Sequence, residues 1–305
     1  MSEINNYRGC LIGLALGDAL CAPYEGGILE RMLWKFFSKT KNNEIRYTDD
    51  TQMSIDLASS ITAYKGINQD ALAEKFANSY KWSRGYGPSA AKILKKMRRG
   101  ENWRNLNKSQ FKDGSFGNGA AMRIAPVALY YHQDRQQLLL AVEQSSIITH
   151  AHEYAIIGAK NIAITISLVI NQLPNDMILD DLIKNNKSQY REKLLTAKKW
   201  LTSGKIADPE DVVITLGNGI QAINSTVTAI YIALTFMHLS YTDMIKFICK
   251  CKGDTDTIAA MAGAIWGARN GIKAINHPLL NRLESKQEII TLADSLFYLQ
   301  QGNCA

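Results

Sequence analysis

Two acidic clusters contain the residues of this sequence best suited to chemistry. The first, Thr48-Asp49-Asp50-Thr51, precedes an apolar helical pattern that starts at Met53. The second, Gly253-Asp254-Thr255-Asp256-Thr257, precedes the apolar run 258–268. Each cluster lies where a helix is expected to begin, and Asp and Thr in that position also cap the helix by accepting from its free N–H groups. One such cluster alone would favour capping over chemistry.

The presence of two clusters favours a metal site. Residues two positions apart do not share a helix face, so Asp254 and Asp256 converge only if they lie in the turn before the helix. Carboxylates and hydroxyls from two such turns form an all-oxygen environment, which suits Mg²⁺ or Mn²⁺ and suits zinc poorly. Without a cation, four crowded carboxylates would raise one another's pKa, and two metals bridged by carboxylate would relieve that repulsion. From the residues alone, metal binding and capping both stay open.

Three further features have weaker signals. The three glycines of 114–123 lie in a loop that runs into a helix and can offer N–H groups to a phosphate, although glycines in any tight loop have the same pattern. His150 ends a helical pattern and is equally well explained by a structural role. Glu25, in the bendable segment 22–27, is a candidate general acid or base, although a solvated surface glutamate fits the same pattern.

Helices are the elements that must position these residues. Met53, Leu57, Ile61 and Tyr64 follow one another at spacings of four, four and three, and similar apolar stripes recur along the chain. The best strand candidate, 212–214, follows a Pro-containing helix start. We therefore predict an all-α protein. Because no low-complexity linker and no repeat divides the chain, we predict a single domain over residues 1–305.

The composition excludes several classes of protein. With 305 residues, 46% hydrophobic and 21% charged, the chain is an ordinary globular sequence rather than a collagen, a disordered polyampholyte or a disulfide-built miniprotein. The five cysteines, Cys304 among them, are odd in number and form no C-x-x-C pair, which favours a reducing cytosol. The N-terminus is polar, without a signal-peptide pattern, and the most apolar stretch, Val227–Leu239, is too short for a membrane span.

The net charge of +7 raises the question of nucleic acid. The basic residues are scattered or form short groups, such as Lys95-Lys96 with Arg98-Arg99, and Lys198-Lys199. Such groups favour solvated helix faces. We therefore expect neither stable nucleic-acid binding nor a membrane partner, and attraction of an anionic small molecule remains a milder alternative.

Taken in order, the motifs resemble the ADP-ribosylglycohydrolase family. The resemblance spans roughly residues 7 to 272. It rests on Gly17-Asp18-Ala19-Leu20 with Glu25, Thr48-Asp49-Asp50-Thr51, Gly85-Tyr86-Gly87, the segment 114–123, Thr149-His150-Ala151-His152, and Gly253-Asp254-Thr255-Asp256-Thr257. Each motif is weak alone, whereas the ordered set is highly specific.

Within this family the chain resembles most the branch that removes ADP-ribose from serine. The supporting segments are Arg84-Gly85-Tyr86-Gly87, the segment 114–119, and Leu216-Gly217-Asn218-Gly219-Ile220 followed by 228–231. That branch usually has tyrosine where this chain has Phe116. The aromatic face is kept and a phenolic hydroxyl is absent.

The resemblance implies a fold, a cofactor and a set of site residues. The fold is a compact orthogonal multi-helix bundle, and the cofactor is a pair of Mg²⁺ ions, with Mn²⁺ as a substitute. The implied metal ligands are Thr48, Asp49, Asp50, Asp254, Asp256 and Thr257. The implied substrate-binding residues are Gly85, Gly87, Gly114, Ser115, Phe116, Gly117, Asn118, His150, Asn218 and Ile220, with Phe111 less firmly. The catalytic group comprises Glu25, on a mobile loop, together with Asp50 and Asp256.

The implied reaction is hydrolysis of the C1″–O bond of ADP-ribosylated serine by a cytoplasmic monomer whose partners are ADP-ribose and ADP-ribosylated proteins. Three rival functions stay open. The first is the same fold acting on arginine-linked ADP-ribose, on O-acetyl-ADP-ribose or on ADP-ribosylated nucleic acid or toxin targets. The second is a catalytically inactive ADP-ribose-binding relative, although all six ligand-type residues and Glu25 are present. The third, a nucleic-acid-binding helical protein, rests only on the net charge.

Overall fold

Helices form nearly all of the regular structure of this chain. The computed structural model describes residues 3–25, 34 and 38–302. Within these ranges there are fifteen α-helices. In chain order they are α1 (Glu3–Cys21), α2 (Asp49–Tyr64), α3 (Gln69–Ser79), α4 (Pro88–Met97), α5 (Trp103–Leu106), α6 (Ala125–Tyr131), α7 (Arg135–Ser146), α8 (Glu153–Ile170), α9 (Asn175–Asn185), α10 (Ser188–Thr202), α11 (Pro209–Leu216), α12 (Thr226–Thr235), α13 (Tyr241–Cys251), α14 (Thr255–Asn270) and α15 (Lys286–Gly302).

The all-α prediction is confirmed. In the described part of the chain, extended pairing is limited to isolated bridges, of which Gly117 with Gln221 bears on the site. The strand candidate 212–214 lies inside α11, whose first residue is Pro209. Proline suits this position because the first turn of a helix does not use its N–H groups. Pro126 likewise lies in the first turn of α6 and starts that helix rather than kinking it.

Helices α1 and α14 pack with their backbones in direct contact. A Cβ added to Gly13 would lie 2.3 Å from the carbonyl oxygen of Gly263, and one on Gly17 would lie 2.4 Å from that of Ala259. Beside this contact, the Tyr241 hydroxyl donates to the Gly13 carbonyl at 2.6 Å. Glycine is required here because any side chain would force the two helices apart. The contact brings the C-terminal half of α1 beside the N-terminus of α14, where the second acidic cluster lies.

One continuous hydrophobic core surrounds this pair. Helix α8 has the length and composition of a membrane span, and 67% of it is buried inside the fold. Four of the cysteines lie within the described residues as free thiols, and Cys304 lies outside them. That residues 1–305 form a single domain stays a prediction.

We expect Gly13→Ala to destabilise the fold, because the added methyl group meets rigid backbone. The free energy of unfolding should fall by about 1–3 kcal/mol or more, as for overpacked cores. Chemical denaturation measures this change. The control is Gly302→Ala, where nothing lies within 4 Å of the added Cβ and the helical preference of alanine adds up to about 1 kcal/mol. Equal stability of Gly13→Ala and wild type would contradict the close contact.

Candidate functional site

The first acidic cluster forms the N-terminus of α2. Thr48 is the cap: its hydroxyl accepts from the Asp50 amide at 3.3 Å and donates to the Asp50 carboxylate at 2.9 Å. Asp49 and Asp50 occupy the first turn, where the helix dipole favours negative charge. Capping and the presentation of carboxylates are therefore combined in one segment, because the cap itself orients Asp50.

Asp18 holds this segment against α1. Its buried carboxylate accepts from the Thr48 amide at 3.0 Å, the Thr51 amide at 3.1 Å and the Thr51 hydroxyl at 2.6 Å. Sequence reasoning named Asp18 only as part of a family motif and did not predict this role. An acidic residue inside an otherwise apolar, small-residue helix was the signal available, since a buried carboxylate needs several donors.

The second acidic cluster starts α14 and differs slightly from expectation. Asp254 precedes the helix, whereas Asp256 lies in its first turn and accepts from the Thr257 amide at 2.9 Å. The Asp254 amide donates to the Asn218 carbonyl at 2.8 Å, and the Asn118 side-chain amide donates to the Asp254 carboxylate. Two loops distant in sequence therefore orient Asp254.

Carboxylates from three regions of the chain converge. One oxygen each from Asp18, Asp50 and Asp256 lie within 4.8 Å of one another, and the same holds for Glu25, Asp254 and Asp256. Burial raises the pKa of Asp50 and Asp256 well above the usual range, and the charges of neighbouring carboxylates add to both shifts. Asp49 behaves in the same way. Asp256 is common to both groups.

The residues present fit a hard divalent cation. The Oδ1 atom of Asp50 is buried without a hydrogen-bond partner, and an orphaned acceptor of this kind costs free energy unless a cation or donor satisfies it. Burial also raises the pKa of Asp18 to about 6, although hydrogen bonds from Thr48 and Thr51 oppose the shift. Every donor atom is oxygen, which is the set that Mg²⁺ and Mn²⁺ prefer.

A cavity of about 240 Å³ opens over these carboxylates. Fifteen of the residues singled out from the sequence line it: Glu25, Asp49, Asp50, Gly85, Gly87, Phe111, Ser115, Phe116, Gly117, Asn118, His150, Ile220, Asp254, Asp256 and Thr257. Sequence reasoning assigned no site role to Met53, Ser89 and Gln221 on the same wall. Helix α2 brings Met53 to the cavity and α4 brings Ser89, whereas Gln221 lies in the segment after α11.

Three site residues proposed from the sequence are not part of the cavity lining. Thr48 is turned to Asp50, as described. Gly114 has φ +86°, and a Cβ there would lie 2.7 Å from that of Ala151, so glycine allows the two loops to meet. The Asn218 side-chain amide donates to the Cys251 carbonyl at 3.0 Å, while its own carbonyl holds Asp254. In this structure Asn218 supports the second acidic cluster.

The glycine-rich loop is fastened to the segment after α11. The Asn118 amide donates to the Ile220 carbonyl at 2.9 Å, and the Ala222 amide donates to the Phe116 carbonyl at 3.1 Å. The loop continues into a short 3-10 turn, and the next α-helix begins only at Ala125, so it does not enter an α-helix directly as expected. The rings of Phe116 and Phe111 lie 5.7 Å apart at the cavity mouth and offer an apolar wall to a flat ring.

His150 is a buried, neutral imidazole that Arg123 and Thr149 hold in place. Arg123 donates to the Thr149 hydroxyl at 2.9 Å, and that oxygen lies 2.8 Å from Nδ1 of His150. The Thr149 oxygen has two lone pairs and one proton, so it can accept from Arg123 and still donate to Nδ1, an arrangement that suits the tautomer with its proton on Nε2. Burial, together with the charge of Arg123, lowers the pKa of His150 to about 3. Nε2 faces the loop, since a Cβ on Gly117 would lie 3.4 Å from it.

Two loops close the rim of the cavity. Glu25 follows a 3-10 turn, Ala22–Tyr24, that continues from α1, and it lies partly exposed on the cavity wall. The glycines expected to loosen this loop, at 26 and 27, lie outside the described residues. On the other side, Arg84 binds Glu284 through two hydrogen bonds of 2.7 and 2.8 Å, which keeps Gly85 next to Asp49.

Comparison with known proteins agrees with this geometry. The family model described as ADP-ribosylglycohydrolase matches residues 1–305. The protein named ADP-ribosylhydrolase ARH3 of Gallus gallus is 31% identical over 346 residues, with 97% of this chain and 94% of the relative covered. An uncharacterized protein of Archaeoglobus fulgidus is 29% identical, with 96% of each chain covered. A solved structure described as an ADP-ribosylglycohydrolase-related protein complex is similar in fold, with a TM-score of 0.72 at 22% identity over 98% of this chain and 100% of that one.

We expect Mg²⁺ to stabilise the protein through the two carboxylate groups. After treatment with EDTA, Mg²⁺ at about 100 times its Kd should raise the free energy of unfolding by roughly 2.7 kcal/mol, measured as a rise in Tm. Asp256→Asn should lose most of this rise, because Asp256 belongs to both groups. The control is Asp56→Asn, a buried α2 carboxylate bound to Ser79 outside the groups, which should keep it. An undiminished Mg²⁺ response in Asp256→Asn would argue against the site.

Proposed function

The chain belongs to the ADP-ribosylglycohydrolase family, and on that premise we propose that it hydrolyses the glycosidic bond between ADP-ribose and a modified protein side chain, with serine favoured and two Mg²⁺ ions as cofactor. One observation carries the proposal. Carboxylates from α1, α2, α14 and the Glu25 loop meet at the floor of a cavity whose walls are the glycine-rich loop and His150. Mn²⁺ has the same ligand preferences and is the expected substitute.

The cations would be held by Thr48, Asp49, Asp50, Asp254, Asp256 and Thr257, with Asp256 as the natural shared ligand. When bound, Mg²⁺ supplies Lewis-acid contacts that orient the ribose hydroxyls and stabilise developing negative charge. The helix N-termini of α2 and α14 keep these side chains in place before any ligand arrives, so little reorganisation is needed during the reaction.

The walls of the cavity supply contacts for the rest of ADP-ribose. Ser115, Phe116 and Gly117 line the cavity beside the Nε2–H of His150, and such neutral donors suit the oxygens of a diphosphate. Phe116, Phe111 and Ile220 are exposed at the mouth, where an adenine ring can stack. With phenylalanine at 116, this contact relies on the ring face alone.

Glu25 is the carboxylate best placed to move a proton. It lines the cavity and belongs to one of the two carboxylate groups, together with Asp254 and Asp256. Water attacks C1″ while the bond to the acceptor oxygen breaks. Glu25 either protonates that leaving oxygen or removes a proton from the water. Asp254 and Asp256 serve better as cation ligands, so the usual scheme of two catalytic carboxylates does not transfer directly.

The preference for serine rests on the segments 84–87, 114–119 and 216–220, and a direct comparison tests it. The protein with Mg²⁺ is incubated with one peptide carrying serine-linked and one carrying arginine-linked ADP-ribose, and released ADP-ribose is measured. We expect faster release from serine. Faster release from arginine would assign the arginine linkage instead. Tight ADP-ribose binding without release from either peptide would identify an inactive binding relative.

We expect Glu25→Gln to lower kcat by about 10²–10⁴, the usual contribution of a general acid or base. Glutamine keeps the size of the side chain and loses its exchangeable carboxylate proton. The increase in Tm with Mg²⁺ should persist. Glu210→Gln, an exposed position on α11, is the matched control and should hydrolyse at the wild-type rate. A Glu25→Gln enzyme with near wild-type kcat would remove Glu25 from the mechanism.

We expect Thr149→Val to weaken ADP-ribose binding, because His150 loses the hydroxyl that keeps its proton on Nε2. Loss of one directed hydrogen bond of about 1–2 kcal/mol corresponds to roughly 5–30-fold in Kd, measured by calorimetry. Thr149→Ser keeps the hydroxyl and should restore affinity. Nitrogen NMR shifts of His150 report the tautomer directly, and an Nδ1-protonated ring in the wild type would rule out this chain of contacts.

A further inference from the structure

The segment 81–99, beside the cavity, has an unusual charge distribution. It contains seven basic residues and no acidic residue: Lys81, Arg84, Lys92, Lys95, Lys96, Arg98 and Arg99. Its formal charge of +7 therefore equals that of the whole chain. From the sequence we expected solvated helix faces here. In the structure several of these charges are exposed, as expected, and they share one surface with aromatic side chains.

Two of the seven cations are already engaged. Arg84 is buried against Glu284, and Lys96 lies 3.4 Å from Glu101. Lys92, Lys95, Arg98 and Arg99 are exposed, and among the described residues no carboxylate lies within ion-pair distance of them. Their charges are thus available to an anionic partner.

Aromatic rings lie among these cations. The Trp82 side chain is 74% exposed, and the Lys95 ammonium lies 5.6 Å from the centre of the Tyr80 ring. Tyr80, Trp82, Lys95, Arg98 and Arg99 together line a groove of about 460 Å³. Cations interleaved with an exposed aromatic face are the combination that binds single-stranded nucleic acid, since the cations contact phosphates and the ring stacks on bases.

The groove and the candidate site lie at opposite ends of helix α4. Pro88, Ser89 and Ala90, at the start of α4, line the cavity, and the groove contains residues from the end of the same helix. From Ala90 to Met97 the helix advances roughly 10 Å, a span of a few nucleotides. The Tyr80 ring also packs at 4.9 Å on that of Tyr86, which neighbours Gly85 and Gly87 on the cavity wall.

We propose that the surface formed by Trp82, Lys92, Lys95, Arg98 and Arg99, called the α4 basic surface, binds single-stranded nucleic acid and directs it along α4 to the cavity mouth. Single strands fit better than duplex, whose base faces are stacked and closed to Trp82. A membrane fits less well, because the apolar residues of α4, such as Ile93 and Leu94, are buried. An acidic peptide would pair with the charges but would have no base to stack on the Trp82 indole. The proposal does not depend on hydrolysis.

The test is fluorescence anisotropy with a labelled oligothymidine of about ten nucleotides, at low salt and in EDTA. The double variant Lys95→Glu/Arg98→Glu should weaken binding at least about tenfold. Its matched control is Lys205→Glu/Lys273→Glu, with the same change of charge at exposed positions far along the chain, and should change binding less than about threefold. Trp82→Ala should weaken binding about fivefold or more, as expected for one lost stacking contact. Melting temperatures verify that each variant is folded.

Several outcomes would overturn the proposal. Among them are equal losses of affinity in the double variant of the α4 basic surface and in the control double variant, and unchanged affinity in Trp82→Ala. Tighter binding of a duplex than of the single strand would also count against it. So would binding of phosphatidylserine vesicles or a polyglutamate peptide that is as tight and equally sensitive to the double variant. Hydrolysis of a serine-linked peptide should stay at the wild-type rate in every variant, so failure here leaves the proposed enzymatic function untouched.

Discussion

The backbone contact between α1 and α14 determines where the chemistry of this protein can occur. With Gly13 against Gly263 and Gly17 against Ala259, the two helix axes are closer than any larger side chains would allow. Asp18, which holds the first acidic cluster, directly follows Gly17. Asp254, in the second cluster, directly precedes α14. The contact therefore fixes the distance between Asp18 and the second cluster. The position of helix α2 depends on Asp18 in turn, because the Asp18 carboxylate accepts from the amides at the start of α2.

Such an arrangement brings like charges together and must offset their repulsion. Three devices do so without a cation: the N-terminal dipoles of α2 and α14, the donors that Thr48 and Thr51 direct at Asp18, and the amide of Asn118 at Asp254. The pKa values of Asp50 and Asp256 nevertheless stay raised, first because both groups are buried and then because other carboxylates lie nearby. A divalent cation bound here would relieve the remaining electrostatic cost.

Local patterns in the sequence predicted a large part of this. Helix periodicity and the Asp/Thr clusters lead directly to α2 and α14, because caps and apolar stripes are determined by near neighbours in the chain. The all-α fold followed from the same patterns. The roles of Asp18 and Asn218 could not be predicted, since each depends on a partner at least 30 residues away. The contacts that hold His150 likewise include Arg123, which no local motif connects with it.

The cavity separates two kinds of polar chemistry, and this separation orients a ligand. Its floor is anionic and attracts a cation, while its wall at His150 offers an uncharged N–H, because burial and Arg123 keep the imidazole neutral. A protonated histidine there would compete with the cation for the carboxylates and weaken the distinction. The N–H groups of the wall suit the anionic oxygens of a ligand, whereas a cation bound at the floor would suit its hydroxyl groups. We therefore expect a molecule that carries both groups to bind in one orientation, with its hydroxyl-bearing end beside Glu25 and its anionic part at the glycine-rich loop.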